Sequence, residues 1–267
     1  MTSAKIPKSV FRYRSTAEHE LAAIKNSYIW FSSPLEFNDP YDCRINGTIR
    51  DLEPKEYKTY FNTLANKLRL KRGHNNPAVD REISAYLDPQ TGLPNERLIQ
   101  IYKDELTKHL NDFRDRIGKN GGVCCFSARP DHPLMWSHYA NGHRGICIEY
   151  STEQNPFLKI RQVHYSERLP SIDPLTAMKL GHRVDDIMAA LATKHKSWAY
   201  EEEWRLFHVQ KSKKYFYPES LLKSVTLGSE CSTTDINRFA SAAKQLKIPL
   251  FKMKRSTVDY SMIQELI

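Results

Sequence analysis

A chain of 267 residues with 40% hydrophobic and 11% aromatic content can bury a full core without disulfides or metals, and is too apolar for disorder. No apolar run is long enough to cross a bilayer, "MTSAKIPKSVFRYRS" holds no leader-like core, and the five cysteines (Cys43, Cys124, Cys125, Cys147, Cys231) form no CxxC pair, so a cytoplasmic protein with reduced thiols, no metal and no membrane partner is expected. The formal charge of +9 concentrates over 205–255, where eleven Lys/Arg stand against three acids, a stretch that either attracts polyanions or is a solvated face.

In chain order, "VFRYRS" (10–15) alternates as a short strand, and Ser15 with Glu18 makes a capping box for a helix over "AEHELAAIKNS". "YIWFSS" (28–33) is an aromatic, β-branched strand, and "PLEFNDPYDC" is an ordered loop punctuated by prolines and Asn-Asp. About 53–119 reads as a helical insertion. Within it, Leu98, Ile101, Tyr102, Leu106, Leu110, Phe113 and Ile117 stripe one face of a helix over 98–117. "GGVCCFSARP" (121–130) is a central strand, followed by a helix over "HPLMWSHYANG" with Pro133 in its first turn and Gly142 at its C-cap. "GICIEY" and "IRQVHYS" are strands, "TAMKLGHRVDDIMAALATKHKSW" a helix, and "EEEWRLFHV" (201–209) a strand. "SVTLGSE", a helix over roughly 234–246 and "LFKMKRS" close the chain. Strands interspersed with helices in no regular βαβ order predict a single α+β domain over 1–267 with the insertion hung on its sheet.

Four places carry candidate chemistry. On a strand, Glu201 and Glu203 share one face and Glu202 takes the other; two carboxylates so placed raise at least one pKa, unless they are solvated or paired to Arg205 and Lys196. Arg12 and Arg14 of "RYRS" share a face and suit phosphate or carboxylate, or else pair with Asp39 or Glu149. Asn38 and Asp39 are explained by an Asx turn or by a site. In "MWSHYANGHRGICIEY" the helix carries Trp136, His138 and Tyr139 beside a strand with Ser127, a density of polar-tipped aromatics that suits a pocket wall for a planar ligand.

Together "WFSSPLEFNDPYDC", "CFSARPDHPLMWSHYANGHRGICIEY" and "KHKSWAYEEEWRLF" resemble a widespread bacterial family known only as a domain of unknown function. The order of motifs also resembles that of the ADP-ribosyltransferase superfamily, in particular its DNA-modifying toxin branch, with "RPDHPLMW" similar to a run found there. That resemblance implies an ADP-ribosyltransferase-like mixed β core that uses NAD. Arg14 and Ser15 on the first strand, Ser127 and Arg129 on a middle strand, and Trp136, His138 and Tyr139 would bind NAD; Arg14 would hold the pyrophosphate, and Tyr139 or Trp136 would stack on nicotinamide. Glu203 would hydrogen-bond the nicotinamide ribose and stabilise oxocarbenium-like charge, and Glu201 would orient the acceptor. The acceptor would be nucleic acid or protein, the setting a toxin or phage-defence effector with a possible antitoxin. Two rival expectations stand beside it: a nucleic-acid-binding module using the basic 205–255 face, and a hydrolase whose metal sits among Glu201, Glu203, Asp39 and His138.

Overall fold

The computed structural model describes residues 5–43, 52–74, 76–170 and 184–267. It is a mixed α/β structure with the strands β1 Ser9–Arg14, β2 Tyr28–Phe31, β3 Gly122–Ser127, β4 Ile146–Ser151, β5 Arg161–Gln162, β6 His164–Ser166, β7 Thr193–His195, β8 Glu203–His208, β9 Lys213–Phe216, β10 Leu222–Leu227, β11 Leu250–Arg255 and β12 Met262–Leu266. Its described helices are α1 Glu18–Lys25, α2 Pro54–Arg72, α3 Pro77–Ser84, α4 Glu96–Asn120, α5 Pro133–Tyr139, α6 Val184–Leu191 and α7 Thr233–Leu246. No described helix is long and apolar enough to cross a membrane. Two compact units emerge. Described residues of the first lie in 5–43, 116–168 and 192–267; those of the second lie between 52 and 115 and between 169 and 191.

The first unit is built on an eight-stranded sheet ordered β12-β11-β10-β4-β1-β3-β8-β5. All its ladders are antiparallel except β10 with β11, which α7 connects as a βαβ crossover. Period-two burial gives the sheet two faces. Val10, Cys124, Phe126, Ile148, Tyr150, Trp204 and Leu206 pack on one side with α1 and α7, through Leu21, Ile24 and Phe239. Tyr13, Cys147 and Met253 pack on the other beneath Met135 and Trp136 of α5. Hence "WRLF" alternates as expected: Trp204 and Leu206 enter the first core, while Glu203 and Arg205 face the α5 side.

One irregularity positions the site. β1 is paired with β4 along its whole length, Ser9↔Ser151 to Arg14↔Ile146, but meets β3 at the single pair Phe11↔Ser127. Beyond that pair the two strands part, and the far end of β3 bridges instead to Ser32 through Val123.

The "HRG" glycine answers to packing. A Cβ on Gly145 would stand 2.1 Å from the Arg14 carbonyl oxygen, and one on Gly228 would stand 2.0 Å from that of His143. The turn into β4 can therefore pass β1 and the end of β10 only without side chains at these positions.

In the second unit α2, α3 and α4 enclose Phe61, Ala65, Val79, Ile83 and Leu98, with Tyr102 against the rings of Tyr57 and Tyr60. The stretch 53–119 is thus helical, as its periodicity predicts. The side chains of Leu106, Leu110, Phe113 and Ile117 lie outside the described residues.

Four local expectations need correction. Ser15 does not cap α1: its Oγ accepts only from the Ala17 N–H, and Ala17 occupies the cap position. The helix expected over 176–198 ends at Leu191, and β7 and a 3-10 helix, Lys196–Glu201, replace its last turns; its part over 176–183 lies outside the described residues. "IRQVHYS" is two short strands in different sheets, β5 against β8 and β6 against β7. β9 and β12 were not foreseen, because "KKYF" and "MIQEL" lack the apolar alternation of half-buried strands.

Candidate active site

Glu201 and Glu203 converge by a route that strand geometry does not supply. Glu201 ends the 3-10 helix and Glu202 is left-handed, with φ 43°. That kink turns the Glu202 side chain to solvent, where it stands 3.7 Å from Arg129, and lets both neighbours point inward. The expectation of two carboxylates sharing a strand face is therefore corrected in its mechanism: β8 begins only at Glu203.

Both carboxylates belong to a buried ionic cluster. Arg205, with no exposed surface, closes a fork on Glu203, Nε to Oε1 at 2.7 Å and Nη2 to Oε2 at 2.8 Å. The same Nη2 also donates to Asp42 Oδ2 at 2.8 Å, while Nη1 stands 2.8 Å from Asp42 Oδ1 and donates to the Cys43 sulfur at 3.0 Å. Lys194 Nζ donates to Glu201 Oε2 at 2.5 Å and Glu203 Oε2 at 3.3 Å, and stands 3.4 Å from Asp42. The Tyr139 hydroxyl donates to Glu201 Oε1 at 2.6 Å, and the Glu203 N–H donates to the Tyr165 hydroxyl at 2.8 Å. Lys194, not the expected Lys196, is the lysine partner; Lys196 reaches Glu167 on the surface.

Three carboxylates thus share two cations out of water, where uncompensated charge is costly. The two glutamates respond oppositely. Burial alone would raise Glu203, but the charges of Arg205 and Lys194 overcome it and hold its carboxyl down at about 2. Burial raises Glu201, Lys194 opposes it, and the negative charge of Glu203 helps keep it above the ordinary range. Burial and the Glu201 charge push the Tyr139 hydroxyl up, so it stays a donor. Two carboxyls driven apart in this way are suited to different roles, one always ionised and one able to take up a proton.

A cavity of about 420 Å³ opens onto this cluster and into the gap between β1 and β3. Asp42, Lys194, Glu201 and Glu203 line it with Ser127, Met135, His138, Tyr139, Phe37 and Asn38, and so do Arg12 and Arg14 of β1. Strand alternation sends Arg12 and Arg14 to the side of Val10, opposite Ser127 and Glu203. They reach the cavity only because the strands part. Arg12 donates to the Trp30 carbonyl at 3.1 Å, and Arg14 stands 3.4 Å from Glu20 of α1. Neither pairs with Asp39 or Glu149; the Glu149 carboxylate accepts from Ser224 and Asp39 caps Tyr41 in an Asx turn.

Of the residues expected to form a site, Arg14, Ser127, His138, Tyr139, Glu201 and Glu203 line this one cavity, and Ser15, Arg129 and Trp136 do not. Ser127 is turned inward, its Oγ donating to the Glu201 carbonyl and accepting from the Arg129 N–H, so it braces the loop that carries the acids. Arg129 makes a surface pair with Asp131. Trp136 is fully buried, its Nε1 donating to the Pro130 carbonyl and its ring edge-on to Tyr13, so it is core and cannot stack on a ligand. The basic stretch 205–255 is not one face: Arg205 is buried, and Arg238, Lys254 and Arg255 are paired with Glu18, Glu265 and Glu230. Among the described residues no cluster of His, Cys, Asp and Glu has the arrangement of a metal site.

Sequence reasoning missed Asp42, Lys194 and Tyr165. Asp42 sits in a loop whose acids look solvated, and Lys194 in a stretch that reads as helix, so neither carried a local signal. Nothing among the curated proteins or the solved structures matches the chain. The stretch 135–206, which carries Tyr139, Tyr165, Lys194, Glu201, Glu203 and Arg205 and so most of the cluster, matches the model of a family described as "Protein of unknown function (DUF2971)".

Proposed function

We propose that this cavity binds NAD and breaks its nicotinamide–ribose bond, passing ADP-ribose to a macromolecular acceptor in the manner of an ADP-ribosyltransferase. The observation that carries the reading is that one cavity is lined both by a carboxylate-rich cluster, Asp42, Glu201 and Glu203 with Lys194, and by two arginines from β1, Arg12 and Arg14. NAD is charged in the same sense, with a cationic nicotinamide ring and an anionic pyrophosphate.

In this reading Glu203, held ionised by Arg205 and Lys194, supplies negative potential where positive charge develops on the ribose. Its oxygens are fully engaged, so it acts through its field. Glu201 is the acid whose proton affinity is raised. It takes the proton from the acceptor as the bond from the ribose carbon to nicotinamide breaks and the bond to the acceptor oxygen or nitrogen forms. Nicotinamide leaves as a neutral base and needs no proton. Tyr139 orients Glu201, and His138 with Phe37 flanks the mouth. The first-strand role is revised: Arg12 shares the pyrophosphate end with Arg14, and Arg129 and Trp136 have no part in it.

The test is nicotinamide release from NAD by the purified chain, with and without nucleic-acid and protein acceptors, beside direct NAD titration. Saturable NAD binding with release lost in Glu201→Gln supports the reading. No NAD binding by the folded protein overturns it.

A further inference from the structure

β2 and β9 form a two-stranded ribbon apart from the large sheet, in the register Tyr28↔Phe216, Ile29↔Tyr215, Trp30↔Lys214 and Phe31↔Lys213. Ile29 and Phe31 are buried in the main core, so Tyr28, Trp30, Lys214 and Phe216 make the outward face. Tyr28 is covered by the edge of Phe216, at 5.8 Å between ring centres, and by Lys214 Nζ, 4.7 Å above its ring. Trp30 and Phe216 stay open, at 38% and 65% exposure.

The chain that forms this face carries one sign of charge. Residues 21–35 and 204–218, bounded by Glu20, Glu36, Glu203 and Glu219, contain no Asp or Glu but carry Lys25, Lys211, Lys213 and Lys214 besides the buried Arg205. Ring and ammonium alternate on a single plane, with Trp30 directly opposite Lys214 and Phe216 two residues beyond it on the same strand.

We infer that the β2–β9 ribbon is a docking surface for single-stranded nucleic acid, bases stacking on Trp30 and Phe216 and phosphates meeting Lys214 and Lys211. Open rings with interleaved cations fit a polymer that alternates planar bases with phosphates. A membrane surface asks instead for apolar groups inserted below a layer of cations, and an acidic peptide has no use for the flat rings. The ribbon also leads to the cavity: the Trp30 carbonyl accepts from Arg12, and Ser32, two residues on, lines the cavity wall. The inference stands independently of NAD chemistry.

The experiment is fluorescence anisotropy of labelled oligo-deoxythymidine and oligo-uridine across a salt series, without NAD, using the full chain. Wild type is expected to bind with affinity that falls as salt rises. Phe216→Ala should weaken binding roughly tenfold or more through loss of one stacking ring. Lys211→Ala and Lys214→Ala should each reduce the steepness of the log–log salt dependence by about 0.7. Lys223→Ala on β10 and Lys244→Ala on α7, exposed lysines outside the two ribbon strands, should change neither, and circular dichroism reports that each variant is folded. Absence of binding by wild type overturns the inference. So does equal weakening by the two control variants, or tighter binding of the same residues to phosphatidylserine vesicles or polyglutamate.

Discussion

Replacing Glu203 by Gln keeps shape and removes one charge from the buried cluster, and the structure sets what that must do. The Arg205 fork meets both Glu203 oxygens, so a carboxamide retains one acceptor and turns an N–H₂ toward the other donor. Breaking a buried ion pair by removing one partner costs about 3–5 kcal/mol. Asp42 still holds Arg205, and Glu201 with Asp42 still holds Lys194, which places the cost at the lower end. Holding that carboxyl down at about 2, from 4.5, by the same two cations corresponds to roughly 3 kcal/mol. At pH 7 that is a fall in Tm of roughly 6–12 °C for a chain of this size. The sign with pH follows from a depressed carboxylate: the wild-type advantage is complete above the ordinary value of 4.5 and disappears as pH falls through about 2. Urea unfolding of both proteins at pH 7 and pH 3 measures this, with a gap in midpoint that narrows at the lower pH. Equal midpoints at pH 7, or a gap that widens in acid, would refute the assignment of Glu203 as the ionised centre of the cluster.

Glu201→Gln is expected to lose on the order of a hundredfold or more in nicotinamide release while NAD binding and Tm change far less, because Glu201 already carries a cost for being charged; rate and melting measured on one preparation decide it. Lys194→Met strands Asp42, Glu201 and Glu203 with a single cation, so it should lose about 3 kcal/mol or more at pH 7 and recover part of this as pH falls, because Glu201 takes up a proton more readily than an ordinary carboxyl; thermal melts over a descending pH series test it. Trp136→Phe should lower Tm, since it opens a void and leaves the Pro130 carbonyl unpaired, yet leave NAD titration unchanged. Gly145→Ala should abolish soluble expression or cost several kcal/mol, because its Cβ would collide with the Arg14 carbonyl, whereas Gly92→Ala, with nothing within 4 Å, bears only its own backbone strain.

Periodicity was enough for the parts of this chain whose burial is local. The apolar run of "GVCCFS", the alternation of "WRLF" and the helical period of α4 and α7 each report a surface that must leave water, and each element lies where its pattern says. The pairing of motifs was also legible: "MWSHYA" and "YEEEW" meet through Tyr139 and Glu201. What they do together was decided by tertiary structure. No pattern in "ALATKHKSW" reveals that Lys194 leaves a helix for a short strand and is buried between two glutamates, or that Asp42 comes from a loop 163 residues away to share Arg205. A buried charge is tolerated only where partners from distant segments converge, and that convergence is written in no single segment. The same holds for the arginines. Alternation places Arg12 and Arg14 away from the acids; the parting of β1 from β3 after one pair brings all of them to a common cavity, because a strand held along one edge by β4 is free to open on the other.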